Sequence, residues 1–197
     1  CRSFEEAEEF SEAEWGQRKA KFIKLCEMMI DKTSGDYDCI IPVGGGKDSY
    51  YQVHLMKELG FRPLMVTYHG NNYLPEGQAN LDRMKEQLGF DHYIFYPNTE
   101  VLKKLNRICF RMMGDMNWQN HCGIFTSPII TAVNFKIPLI IWGETDWDIS
   151  GMYDPEDLIE FSARNRHEHS LRGYEWTEFT NDKKDKLNKK DLIWAKY

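Results

Sequence analysis

The chain has 197 residues, enough for one domain with a hydrophobic core, and its 42% hydrophobic and 28% charged residues are typical of a globular protein. Its formal net charge of -6 argues against a general nucleic-acid binder, whose surface is expected to be basic. A transmembrane helix is not predicted, because no run of about 18 apolar residues occurs.

The cysteines and the first residues indicate the compartment. The cysteines are odd in number and form no CxxC pair, which argues against a secreted disulfide framework and favours a reducing cytoplasm (Cys1, Cys26, Cys39, Cys109 and Cys122). The first residues also lack the layout of a signal peptide. Because residue 1 is not methionine and the end carries no helix stop signal, we expect a fragment of a longer protein.

Strands and helices are predicted to alternate along the chain. A first helix over 5–30 carries one apolar face (Trp15, Phe22, Leu25 and Met29). Apolar strands are predicted over 39–43, 63–68, 92–96 and 138–142, and further helices over 48–59, 77–88, 100–113, 127–135 and 154–172. We interpret the polar tract 181–191 as solvated.

This alternation predicts an α/β fold, a parallel sheet with helices on both faces. Ligands of such sheets bind beyond the carboxyl ends of the strands, so the informative loops follow Val43, Tyr68 and Trp142. We divide the chain into an N-terminal helical segment (1–34), a central domain (35–175) and a polar C-terminal segment (176–197).

A glycine triplet, Gly44-Gly45-Gly46, joins the first strand to the next helix. Without Cβ atoms a ligand can approach the backbone closely, and the N–H groups of the turn and of the helix start would bind an anion. Ser49 would donate to a phosphate oxygen, and Lys47 adds a positive charge. Asp48 would cap the helix or hold Mg²⁺. The spacing fits neither a Walker A loop nor a dinucleotide-binding loop.

The segment 43–49 resembles the SGGxDS signature of the PP-loop ATP-pyrophosphatases. The resemblance implies an adenine nucleotide alpha hydrolase-like (HUP) three-layer sandwich that splits ATP between the α- and β-phosphates. It also implies that Gly45, Gly46, Asp48 and Ser49 cradle the pyrophosphate. Gly44 stands where serine is usual, so one hydroxyl donor is lost while the backbone N–H of Gly44 remains.

Three segments look like a narrower group, the N-acetyl sugar amidotransferases of surface-polysaccharide and nonulosonic-acid biosynthesis (42–49, 77–81 and 137–144). The resemblance covers roughly residues 1–175, including 164–173. It implies that an acetamido oxygen of a nucleotide-linked sugar is adenylated and that ammonia then displaces AMP to give an acetamidino group. ATP, Mg²⁺ and a separate glutaminase subunit supplying ammonia are implied with it.

The loop after the second strand is where enzymes of this fold bind adenine. We expect Val66, Thr67 and Tyr68 to line that pocket; the alternative places Val66 in the core and Tyr68 at the surface. Asn80 is either a local capping or surface amide or a contact to nucleotide or substrate.

The end of the fourth strand supplies further candidates. Gly143 would permit close approach of the nucleotide, and Glu144 would bind Mg²⁺ or steer ammonia, unless it is an N-cap or surface acid. Asp146 and Asp148 are weaker candidates of the same kind.

A polar cluster at 162–169 is the candidate substrate site. Arg164, Arg166 and His167 would bind the anionic part of a nucleotide-linked sugar, and the alternative is an exposed, salt-bridged helix. We interpret His121 and Cys122 as a structural pair, because two further metal ligands at suitable spacing are missing.

Cys1 has a separate interpretation. Related amidotransferases carry an N-terminal zinc ribbon, and Cys1 resembles its last cysteine, which implies Zn²⁺ in the intact protein. The other cysteines are expected to be small buried apolar residues.

Two other functions remain open from the sequence. One is a tRNA-modifying PP-loop enzyme of the thiolation or lysidine type, against which the acidic composition counts. The other is a non-catalytic ATP-binding module of the universal-stress type, whose glycine loop is spaced differently and lacks the Lys47-Asp48-Ser49 ending.

Overall fold

The computed structural model describes residues 11–30, 36–143, 163 and 166–196. Helix α1 spans Glu12–Ile30. Its second half packs Phe22 and Cys26 against the core, whereas Trp15 and Leu25 are exposed. The predicted apolar face of this helix therefore meets the rest of the molecule only along part of its length; the predicted residues 5–10 lie outside the described part.

Three parallel strands form the sheet in the order β1-β2-β3. They span Cys39–Pro42, Pro63–Tyr68 and His92–Phe95. The central strand, β2, is buried at every residue, which agrees with its continuous apolar sequence.

The predicted fourth strand is reduced to one bridge. Ile40 pairs in parallel with Ile140, and the Ile40 N–H donates to Leu139 O while the Ile141 N–H donates to Ile40 O, each at 2.8 Å. The next bond of this parallel ladder would run from residue 42 to the Ile141 carbonyl, but Pro42 has no N–H to donate. The segment 139–141 still lies beside β1, where the prediction of a further strand would put it.

Four helices connect or follow the strands, and their bounds are Lys47–Glu58 (α2), Pro75–Leu88 (α3), Thr99–Met113 (α4) and Trp118–Phe135 (α5). The first three lie within a few residues of the prediction. Helix α5 begins at Trp118, well before the predicted start at 127, because buried Trp118 and Cys122 anchor its first turns.

Helices cover both faces of the sheet, as predicted. On one face Ile41 and Met65 pack against Val53 and Met56 of α2 and against α3. On the other face Ile40, Leu64 and Val66 pack against Ala132 of α5. The side chains alternate because successive residues of a strand point to opposite faces.

The C-terminal part packs on α4 and α5. It contains a π-helical turn (Arg166–Ser170) and two short 3₁₀ helices (Trp176–Asn181 and Ile193–Ala195). Phe179, Leu187 and Leu192 are buried in one cluster with Trp118. Most of the predicted helix 154–172 lies outside the described residues.

Ion pairs hold the polar tract 181–191 against α4, in addition to the packing of the buried leucines. Asp185 pairs with Arg107 and Arg111 of α4, and Asp182 also pairs with Arg111. The hydrogen bond from Arg107 lowers the pKa of Asp185 to about 2. The tract is therefore a packed segment whose lysines are exposed, rather than a freely solvated one.

None of the helices in the described ranges has both the length and the apolar character that crossing a membrane requires.

Candidate nucleotide site

A cleft of about 870 Å³ opens at the carboxyl ends of β1 and β2. Its walls come from the glycine loop, α2, β2, α5 and the segment after the Ile140 bridge (Pro42, Val43, Gly44, Gly46, Lys47, Asp48, Ser49, Tyr51, Gln52, Val66, Tyr68, Tyr73, Ile124, Phe125, Pro128, Trp142 and Gly143). The volume lies within the range of about 300–1,000 Å³ found for pockets that hold small ligands.

The glycine loop lines the cleft with backbone atoms, since Gly44 and Gly46 carry no side chains. Gly45 has φ +80°, and a Cβ there would lie 3.1 Å from Leu81 Cγ, so both conformation and space require glycine. Gly46 is the N-cap of α2 and has no side-chain cap. The first N–H groups of α2 therefore lack intrahelical and side-chain partners, which makes this corner suited to an anion.

Ser49 connects the helix back to the loop, since its Oγ accepts a hydrogen bond from the Gly44 N–H at 3.1 Å. Lys47 Nζ lies 2.7 Å from Asp48 Oδ1, and both side chains are largely exposed, 89% and 74%. Such an exposed pair contributes little stability, so either group can turn to a charged ligand at small cost.

Thr67 supports the loop from behind. Its hydroxyl donates to the Val43 carbonyl at 2.6 Å and lies 2.8 Å from His92 Nε2. Because the hydroxyl proton is given to Val43, His92 Nε2 donates to Thr67. Val66 and Tyr68 line the cleft, while Thr67 points to the other face of the sheet and takes no part in the lining.

The tightly packed side chain of Tyr68 forms part of the cleft wall. It is buried, its hydroxyl lies 2.5 Å from Gln119 Oε1, and a Cβ at Gly123 of α5 would overlap its ring. Burial raises the pKa of Tyr68, so the phenol stays neutral.

Two further aromatic rings line the cleft. Phe125 and Trp142 have ring centroids 5.1 Å apart. Pro128 has no N–H for the carbonyl of Ile124, and both of these α5 residues face the cleft. Apolar rings and an anion-binding loop in the lining of one cleft are the elements that a nucleotide base and its phosphates require.

Gly143 lies close to α2. A Cβ at this position would be 2.6 Å from the Gln52 amide, and both residues line the cleft. The segment after the Ile140 bridge therefore approaches the helix that carries the loop motif.

Asn80 lies outside the lining. Its Oδ1 accepts from Arg83 Nη2 at 2.6 Å, and its backbone carbonyl accepts from the Tyr50 hydroxyl at 2.9 Å. These are local contacts on and between α3 and α2.

Arg166 and His167 also lie outside the lining. Arg166 makes a two-bonded pair with Glu175, at 2.8 and 3.1 Å, and His167 Nδ1 lies 3.6 Å from the same carboxylate. The hydrogen bond from Arg166 lowers the pKa of Glu175. The guanidinium fork is thus occupied by a protein carboxylate.

Several candidates fall outside the described residues: Cys1, Glu144, Asp146, Asp148 and Arg164.

Within the described ranges, no group of three or more His, Cys, Asp or Glu side chains could hold a metal ion. His121 lies 2.6 Å from Arg172 Nη2, and burial raises the pKa of Cys122 to about 12, which leaves an inert thiol.

The sequence motifs indicate the loop, but not the wall made by α5 or the side chains of Tyr51, Gln52 and Tyr73. One sequence feature could have pointed to α5. Pro128 lies inside an otherwise apolar helical segment and leaves the Ile124 carbonyl without its usual N–H donor.

Comparisons with known proteins address the fold. A scan against protein-family models finds no match, and a search of curated proteins finds none. Among solved structures, the chain is similar to the NH3-dependent NAD synthetase from Campylobacter jejuni, with TM-score 0.50 and 10% identity, covering 67% of this chain and 57% of that one.

Two further likenesses are weaker. The chain is similar to NMN synthetase from Francisella tularensis with TM-score 0.42 and 16% identity, covering 70% of this chain and 56% of that one. It is also similar to a predicted subunit of tRNA methyltransferase from Methanocaldococcus jannaschii with TM-score 0.42 and 18% identity, covering 66% of this chain and 61% of that one. The chain spans between 56% and 61% of the length of these proteins. The predicted fold class is confirmed: this chain has a parallel α/β fold with helices on both faces, like that of the NAD synthetase.

Proposed function

We propose that this chain is the ATP-pyrophosphatase-type subunit of an amidotransferase. It would adenylate the acetamido oxygen of a nucleotide-linked N-acetyl sugar and replace that oxygen with ammonia, releasing AMP and pyrophosphate. The observation that carries the proposal is the uncapped start of α2 behind Gly44–Gly46, which opens on a cleft of nucleotide size. The sugar and the ammonia donor rest on the resemblance of the sequence motifs.

We propose one orientation of ATP in this cleft. The β- and γ-phosphates would lie against the backbone N–H groups of the loop and of α2, since a charged hydrogen bond contributes about 1.5–3 kcal/mol. The adenine would lie toward Val66 and the Phe125–Trp142 wall. Lys47 and Ser49 stand at the phosphate end.

The proposed reaction balances in two steps. The amide oxygen attacks the α-phosphorus, and the bond to the bridging oxygen breaks to release pyrophosphate. Ammonia then adds to the resulting imidate carbon, the carbon–oxygen bond breaks, AMP leaves with the former amide oxygen, and an amidine remains. The protein contributes orientation and stabilisation of charge at phosphorus.

Mg²⁺ fits the donor set. The described part holds no side-chain cage for a metal, but Mg²⁺ commonly binds through substrate phosphates and one or two carboxylates. Asp48, exposed at the helix start, would be such a carboxylate, and Glu144 is a second candidate outside the described residues. The ion would neutralise charge on the triphosphate.

The glutaminase subunit and a zinc site at Cys1 remain parts of the proposal. They concern a partner and a residue beyond the described chain, and rest on the sequence resemblance alone.

An RNA acceptor is the second candidate, favoured by one observation. The Nζ of Lys104 in α4 lies 3.5 Å from the Lys186 carbonyl, which brings this lysine beside a run of exposed lysines (Lys183, Lys184, Lys186, Lys189 and Lys190). A local basic face of this kind can bind a phosphate backbone even on a chain of net charge -6.

AMP and pyrophosphate release separates these functions. The full chain would be incubated with Mg²⁺-ATP, ammonium and either a UDP- or CMP-linked acetamido sugar or tRNA. Release with the sugar alone supports the proposal, and release with tRNA alone supports the second candidate. Absence of AMP under every condition, with ATP still bound, would indicate a non-catalytic ATP-binding module.

Gly45→Ala and Gly60→Ala form a matched pair for the loop. Both positions have φ +80°, so an alanine is strained at each by roughly 1–2 kcal/mol. Only Gly45 belongs to the loop, and only there would the Cβ meet Leu81. AMP formation should fall about 100-fold in Gly45→Ala and stay near the parent level in Gly60→Ala.

A further inference from the structure

Tyr73 reaches over the first glycine of the loop. It lies in the connection between β2 and α3, lines the cleft, and its hydroxyl is 3.8 Å from the position of a Cβ on Gly44. Its ring packs against Gly77, where a Cβ would lie 3.2 Å from Tyr73 Cδ1. The phenol is therefore directed at the corner where the loop would bind an anion.

The ring is held in place by His69. The two rings stack with centroids 4.6 Å apart, and Tyr96 lies on the other side of His69 at 4.4 Å. His69 Nδ1 accepts from the Asn71 N–H at 3.1 Å, so Nε2 carries the proton that meets Gln78 Oε1 at 3.0 Å. These bonds fix the position of the histidine and, through the stack, that of Tyr73.

The hydroxyl of Tyr73 has no hydrogen-bond partner among the residues that the structure describes. Burial raises the pKa of this phenol, so it keeps its proton and acts as a donor at neutral pH. A half-buried phenol that faces a cleft normally finds an acceptor, and here the acceptor would come from the ligand.

We propose that the Tyr73 hydroxyl is a ligand of the phosphate group bound at the glycine loop. It supplies from the β2–α3 connection the hydroxyl that residue 44, a glycine, does not carry. The inference rests on the proposed nucleotide site, to which it adds a binding residue. A Cβ at position 44 has room, since its nearest neighbour would be the Tyr73 hydroxyl at 3.8 Å, and a serine there would carry its Oγ beside the place that this hydroxyl occupies.

Titration calorimetry with Mg²⁺-pyrophosphate and with Mg²⁺-ATP tests whether the Tyr73 hydroxyl contributes to the binding affinity. Tyr73→Phe keeps the ring, the stack and the contact with Gly77, and should weaken the binding of both ligands about 10-fold. Tyr96→Phe is the matched control: it makes the same change on the other side of His69 but lies outside the cleft lining, and should bind as the parent does. Gly44→Ser combined with Tyr73→Phe should recover most of the loss.

The outcomes are distinct. Equal binding by the parent and Tyr73→Phe would overturn the role of Tyr73 and leave the nucleotide site standing. A parent chain that takes up neither ligand would overturn both. A loss in Tyr73→Phe that serine at position 44 fails to recover would show that the Tyr73 hydroxyl does not replace a hydroxyl at residue 44, and would overturn that part of the inference. Thermal unfolding of each variant would verify that the fold is kept.

Discussion

The Thr67 hydroxyl donates to the Val43 carbonyl at 2.6 Å, so the middle strand of the sheet holds the last residue before the glycine loop. His92 of β3 completes the chain of hydrogen bonds by donating to Thr67 at 2.8 Å. All three strands are thus joined beneath the loop by one buried hydroxyl. The loop can present bare backbone to a ligand because its position is fixed from behind.

His92 should make stability depend on pH. Burial lowers its pKa from 6.5 to about 4, so below about pH 6.5 the unfolded chain binds a proton that the folded chain does not. The free energy of unfolding should therefore fall as the pH is lowered from about 6.5 to 4, by at most about 3 kcal/mol. Urea unfolding across this range measures the effect.

The variant His92→Gln provides the control. Glutamine keeps an N–H donor for Thr67 and has no titrating ring, so this variant should lose most of the pH dependence between 6.5 and 4. Identical pH profiles for the parent and the variant would show that the burial of His92 does not govern this part of the curve.

Ser49→Ala should strongly reduce AMP formation while the chain still folds. The change removes the acceptor of the Gly44 N–H, which sits at the surface and can bind water instead, so the cost in unfolding free energy is about 1 kcal/mol. Losing a hydroxyl at the phosphate end should lower turnover about 100-fold or more. Ser49→Thr keeps the hydroxyl and should retain far more activity; equal activity in all three chains would mean that Ser49 is only structural.

Asp48→Ala should raise the Mg²⁺ requirement. Asp48 is 74% exposed, and among the described residues it pairs with Lys47 alone, so its removal should leave the unfolding midpoint almost unchanged. The Mg²⁺ concentration for half-maximal AMP formation should rise about 10-fold, since the ion loses a carboxylate ligand. Asp36→Ala is the control, because Asp36 is exposed and precedes β1, whereas the loop follows the carboxyl end of that strand. An unchanged Mg²⁺ curve in Asp48→Ala would remove Asp48 from the proposed metal site.

The sequence predicts the sheet well because its signals are local. Strand β2 is observed over the predicted 63–68, where a continuous apolar run is bounded by a proline and a polar loop. The glycine triplet also lies where its sequence context predicts, at the carboxyl end of β1. Loops after Val43, Tyr68 and Trp142 meet at one edge because parallel strands bring their ends together.

The wall formed by α5 is not predictable in the same way. Its first turns carry Asn120, His121 and Gly123, which are weak helix formers, and they become helical because Trp118 is buried and Tyr68 packs on Gly123. Such contacts join residues far apart in sequence and leave no periodic signal. The same holds for Tyr73, whose position over Gly44 follows from its stack on His69.

The contact between Tyr68 and Gly123 can be tested by adding one methyl group. A Cβ at Gly123 would overlap the buried ring, and since α5 packs tightly on β2, Gly123→Ala should lower the free energy of unfolding by about 1–3 kcal/mol or more. The displaced ring would also move into the cleft that it lines, so nucleotide binding should weaken.

Gly16→Ala is the matched control for that change. Gly16 also lies inside a helix, but a Cβ there has no neighbour within 4 Å. Alanine should therefore stabilise α1 by roughly 0.5–1 kcal/mol, because it forms helix more readily than glycine. A lower urea midpoint in Gly123→Ala and a higher one in Gly16→Ala would support the close packing of Tyr68 on α5. A higher midpoint in both variants would show that the space beside the Tyr68 ring can accommodate a methyl group at Gly123.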